Sequence, residues 1–153
     1  MKNYLLAFAA GVLLLASSAS AQEKKIKRSD LPPAVEKAVA ALSVGATIRG
    51  FSTEKENGQT LYEVEMMVSG HSKDVTMTAD GSVFEVEEQV ALDSLSPEVK
   101  AGFKAKADNG KILKVESLTK KGKLVAYEAK VEANGKKTEI QVGPDGKPLD
   151  HEE

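Results

Sequence analysis

Residues 60–68 read Thr60-Leu61-Tyr62-Glu63-Val64-Glu65-Met66-Met67-Val68, and their alternation decides the fold class. Tyr62, Val64, Met66 and Val68 fall on one side of an extended chain, with Glu63, Glu65 and Met67 on the other, because successive side chains of a strand point to opposite faces. Residues 127–132 do the same, setting Tyr127, Ala129 and Val131 against Glu128, Lys130 and Glu132. One apolar face backed by a polar one predicts antiparallel sheet covered on one side only.

Turn residues bound these stretches. Asn57-Gly58, Ser69-Gly70 and Asp80-Gly81 divide the first half into strands near 46–55, 60–68, 73–79 and 82–90, and Lys121-Gly122, Asn134-Gly135 and Asp145-Gly146 divide the second. Such pairs supply the positive φ of tight hairpins. A helix signal precedes each set. Ser96 offers an N-cap hydroxyl, Pro97 a position where a missing N–H costs nothing, and Glu98 a carboxylate near the positive helix end. Val35, Ala38, Val39 and Leu42, and then Val99, Gly102 and Phe103, recur at helical spacing. Gly45 is expected to end the first helix, and Asn109 with Gly110 the second.

The halves also repeat in sequence. Leu31, Pro33, Val35, Ala41, Ile48 and Gly58 recur as Leu95, Pro97, Val99, Ala105, Ile112 and Gly122; after one inserted residue, Tyr62, Glu63, Gly70, Asp80 and Gly81 recur as Tyr127, Glu128, Gly135, Asp145 and Gly146. The reading is an α+β chain of two tandem units, residues 31–90 and 95–153. Each is one helix followed by a three- or four-stranded antiparallel sheet that the helix covers on one face. Units of this size bury too little surface to stand alone, so they are expected to pack together, with pairing of their edge strands left open.

Leu-Pro-x-x-Val opening a helix, Ile48 near the first strand, Tyr62-Glu63-Val64 on the second and the Asp80-Gly81 turn resemble the PepSY-like domain family. Its fold is similar to the repeats of beta-lactamase inhibitory protein. The resemblance runs from Leu31 to Glu88 and from Leu95 to Glu153, with Ala129 standing where the first half has Val64 and a shortened ending after Asp145-Gly146. It implies an exported bacterial protein and, as a partner class, a peptidase to be restrained. It brings no catalytic or ligand residues.

Residues 1–21 have one early cation, Lys2, an apolar run from Tyr4 to Leu15, and the small-residue ending Ala19-Ser20-Ala21. That is a secretory signal with cleavage after Ala21, since about 12 apolar residues fall short of the roughly 20 needed to span a bilayer. A periplasmic or secreted product without stable membrane insertion is expected. Residues 22–30 follow as a charged leader holding Lys24, Lys25, Lys27 and Arg28. The chain has no cysteine, which excludes disulfides, a lipid-modified cysteine and a thiol nucleophile.

The 21 cations and 23 anions are interspersed, so no field gathers nucleic acid, and the aromatics sit at core-like positions rather than among lysines. Neither His71 nor His151 stands where a serine could be activated, and GxSxG, HExxH and a Gly-rich phosphate loop are absent. Glu85, Glu87 and Glu88 read as a solvated strand face, the tail Asp150–Glu153 as frayed, and Met66 and Met77 as core. No cofactor, metal site or enzymatic activity is expected. The function expected is an extracytoplasmic protein-interaction module that presents Glu63, Glu65, Met67, Glu128, Lys130 and Glu132 on an open sheet face. The alternative is a small-ligand or divalent-cation-binding module.

Overall fold

The computed structural model describes residues 23–151 and 153; the expected signal segment and its expected cleavage point lie outside them. A short strand β1 (Lys24–Lys25) and a 3-10 turn lead into α1 (Pro33–Leu42), followed by β2 (Thr47–Glu56), β3 (Gln59–Val68), β4 (His71–Met77) and β5 (Val83–Gln89). A second 3-10 turn precedes α2 (Pro97–Ala107), then β6 (Lys111–Lys120), β7 (Lys123–Ala133) and β8 (Lys136–Val142). The start of α2 is capped as its residues dictate, with the Val99 N–H donating to Ser96 Oγ at 3.2 Å. Without a side-chain cap, α1 is tethered instead by a fork from Arg28 to Glu36, Nη2 to Oε1 2.8 Å. Among the described residues no helix is long and apolar enough to cross a membrane.

The strands form one eight-stranded antiparallel sheet in the order β1 to β8. This overturns the expectation of two units, each a helix with its own three- or four-stranded sheet. The decisive pairing is β5 with β6, in register from Glu85 opposite Lys120 to Gln89 opposite Glu116. Two separate sheets would leave β5 and β6 as unpaired edges with unsatisfied N–H and C=O groups. Joining them satisfies those groups, and the short excursion through α2 returns the chain to the edge it left.

Both helices lie on one face of this sheet. Val35 and Val39 of α1 pack with Val64, Met66, Val75 and Met77; Val99 and Phe103 of α2 pack with Val115, Ala129, Val131 and Val142. Leu42 is left 39% exposed at the end of α1, so the apolar stripe of that helix is shorter than its spacing suggests. Outside the core, α2 carries Lys104 and Lys106 in solvent, the second donating to the Gln141 carbonyl at 2.8 Å.

The two Asp-Gly turns hold the helices down. A Cβ on Gly81 would stand 2.6 Å from the Ala34 carbonyl oxygen, and one on Gly146 would stand 2.2 Å from that of Glu98. Each turn is pressed against the first turn of a helix, and each glycine has positive φ, +81° and +78°. Only glycine meets both demands.

Candidate functional site

Among the described residues no helix crosses the face opposite α1 and α2; the chain end at Glu153 reaches onto it between Gln141 and Lys120, and side chains on it are buried. Ser52, Leu61, Leu118 and Ala126 are at most 2% exposed, with Thr76, Glu116 and Gln141 below a tenth. Glu54 of β2 and Glu85 of β5, with two strands between them, line the same recess of about 280 Å³ together with Glu56, Glu87, Lys120 and Glu153. The sheet therefore coils towards this face, as twisted sheets do, and its side chains bury one another.

Register places the polar residues in rows across the strands. One runs Ser52, Glu63, Thr76, Glu85, Lys120; the next runs Glu65, Asp74, Glu87, Leu118, Ala126; a third runs Met67, Ser72, then Glu116, Glu128, Gln141 beyond Gln89. Directly opposed side chains have Cβ atoms roughly 5 Å apart, and like charges so placed repel. Asp74, Glu87 and Glu116 each bring one carboxylate oxygen within 4.8 Å of the others.

The neutralising partners are few. Lys114 Nζ meets Glu116 Oε1 at 2.6 Å, and Lys120 Nζ meets Glu85 Oε2 at 3.4 Å and Glu153 Oε2 at 3.7 Å. Ser52 Oγ donates to Glu63 at 2.6 Å, Ser72 Oγ to Glu116 at 3.2 Å, and Gln141 Nε2 to Glu128 at 3.0 Å. Among the described residues no buried side-chain polar atom lacks a partner.

Burial, joined in places by crowding, raises the proton affinity of several of these acids. Burial pushes Glu87 up to about 8, with the charges of Glu128, Glu85, Glu116 and Asp74 adding to it. Glu63 is pushed up to about 7 by burial, against the hydrogen bond from Ser52. Asp74, Glu85, Glu128 and Glu54 are also raised, burial leading in each case. The expectation that Glu85 and Glu87 form an ordinary solvated face is thus corrected; of that run only Glu88 is exposed.

Glu63, Glu65 and Met67 of β3 and Glu128, Lys130 and Glu132 of β7 all lie on this face, by the parity of their strands. They form two groups separated by β4, β5 and β6. Of the residues that fill the gap, Asp74 and Glu116 were not named from sequence, and Glu85 and Glu87 were named only as a solvated strand face. Asp74 and Thr76 flanking Val75, and Glu85 and Glu87 flanking Val86, carry the same alternation and could have been. The tail is not simply frayed, since the Glu153 N–H donates to Gln141 Oε1 at 2.9 Å. His71 and His151 are exposed, and Met66 and Met77 are buried, as their strand positions imply.

No family model matches the chain, and no curated protein does. Solved structures do. A candidate periplasmic protein from Bacteroides eggerthii is 19% identical with a TM-score of 0.62, over 78% of this chain and 86% of that one. A DUF2874 family protein from Bacteroides ovatus is 20% identical, TM-score 0.58, over 78% and 84%. A BLIP-like protein from Bacteroides fragilis is 22% identical, TM-score 0.54, over 76% and 81%. The fold is similar to that of BLIP-like and DUF2874 proteins. Of the resemblance read from sequence, the likeness in fold to beta-lactamase inhibitory protein is supported; the PepSY-like family and the tandem repeat are not matched.

Proposed function

We propose that this chain is an exported, non-enzymatic module that binds another envelope protein through the helix-free face of its sheet. The observation that carries this is the continuous sheet itself. Eight strands leave one face without a helix, and that face is coiled and lined by side chains already fixed in place by their neighbours, which lowers the entropy lost on docking. The signal segment and the candidate periplasmic protein of similar fold support the compartment. The PepSY-like resemblance supports a peptidase as the partner class, and the BLIP-like neighbour supports a partner that is a protein.

Capture of a divalent cation competes with this reading. Its support is the convergence of Asp74, Glu87 and Glu116, and of these Glu116 is already paired with Lys114.

Because the chain has no cysteine, one introduced thiol is a unique label. Photo-crosslinkers on Met67→Cys and Lys130→Cys should capture one envelope protein, whereas Lys37→Cys on α1 and Lys104→Cys on α2 should not. Crosslinks from the helix positions alone, or from none of the four, overturn the reading.

A further inference from the structure

We propose that the partner presents a cationic, arginine- or lysine-bearing segment, which docks across the carboxylate rows of the helix-free face. This rests on the docking reading above and names the chemistry of the partner. The argument is one of charge complementarity. Glu65, Asp74 and Glu87 oppose one another on three adjacent strands, and Glu116 opposes Glu128 on the next two. Such pairs weaken a sheet, and this face holds too few cations to offset them. A guanidinium forks onto the two oxygens of a carboxylate with fixed geometry, and an extended segment lying across the strands meets carboxylates on successive strands.

The same crowding makes docking a proton-releasing event. Glu87 is faced by Glu85 on its own strand, Asp74 on β4, Glu116 on β6, and Glu128 on β7. Lys120 joins it in lining the recess with Glu54, Glu56 and Glu153, while Lys114 pairs with Glu116 and offsets part of the crowding at Asp74. In the free protein burial and these neighbouring charges raise the proton affinity of Glu87 and of Asp74. A bound cation favours the ionised form of each carboxylate it touches, so protons leave as it arrives. Affinity must then rise with pH and fall with salt.

The test is calorimetric titration of the mature chain with an eight-residue peptide alternating Arg and Thr, at pH 6, 7 and 8, in two buffers of different ionisation heat. The expected result is saturable binding that tightens about tenfold per pH unit for each proton released. A peptide alternating Glu and Thr should not bind. The variant Glu65→Gln, Asp74→Asn, Glu87→Gln, checked for native circular dichroism, should lose most of the affinity and the proton release. No binding of the arginine peptide, unchanged binding by the amide variant, or binding without proton release overturns the inference. Calcium chloride giving saturable heats that the amide variant abolishes would also overturn it, by assigning the rows to a metal. The two levels separate cleanly. Crosslinks from Met67→Cys that persist in the amide variant sink the cationic partner and leave the docking face standing, whereas their absence in the parent protein removes the docking face.

Discussion

Phe103 and Met66 are 0% and 1% exposed in the two halves of the core, and truncating either leaves a void that the sheet cannot close. Phe103→Ala should cost about 3–5 kcal/mol and Met66→Ala about 2–5 kcal/mol in denaturant unfolding. Met67→Ala, next along the strand but pointing the other way, should cost clearly less, and equal losses at 66 and 67 would contradict the assigned faces. Alternation made these assignments legible in the sequence, because a period of two separates neighbours whatever the sheet around them. The state of Glu63 and Glu87 was not legible. Their proton affinities depend on Ser52, Asp74, Glu116 and Glu128, which arrive from other strands, and a single strand's pattern says nothing about what stands opposite.

At the scale of elements, turn glycines with the same backbone do different work. Gly122 and Gly146 both have φ +78°, but a Cβ at Gly122 meets open space while one at Gly146 would overlap the Glu98 carbonyl of α2. Gly122→Ala should therefore cost only the left-handed strain, about 1–2 kcal/mol. Gly146→Ala should exceed it by on the order of 1–3 kcal/mol, because the helix must shift to admit the methyl. Thermal melts of the two variants make the comparison, and equal costs would mean that the turn does not bear on α2. Strands and turns were readable from sequence because their chemistry is local. The end of α2 was less so: Asp108, rather than Asn109 or Gly110, takes the positive φ, at 49°.

Taken whole, the molecule carries an unusual dependence of stability on pH. A carboxyl whose pKa is raised by folding binds its proton more tightly in the native state, so stability is highest below the unfolded value, near 4.5, and declines as pH climbs towards 7 for Glu63 and 8 for Glu87. Asp80 and Asp145 are shifted the other way by hydrogen bonds in their turns, and their contribution is lost only as pH falls through the acid range. The melting temperature should accordingly be several degrees higher at pH 5 than at pH 8, and Glu87→Gln should flatten the slope and raise the value at pH 8. A melting temperature that rises from pH 5 to pH 8 would contradict the buried carboxylate rows. Sequence could not show that the two halves share one sheet, since Glu85 opposite Lys120 is a pairing between surfaces that each half presents as an edge. That shared sheet runs β1 to β8 in the order of the chain, and this bears on how the molecule is made. No strand waits for a later one to be slotted between it and its neighbour, and each new segment finds its edge already laid down. A chain delivered from its N-terminal end, as through a translocation pore, can add structure strand by strand while the remainder is still unfolded behind it.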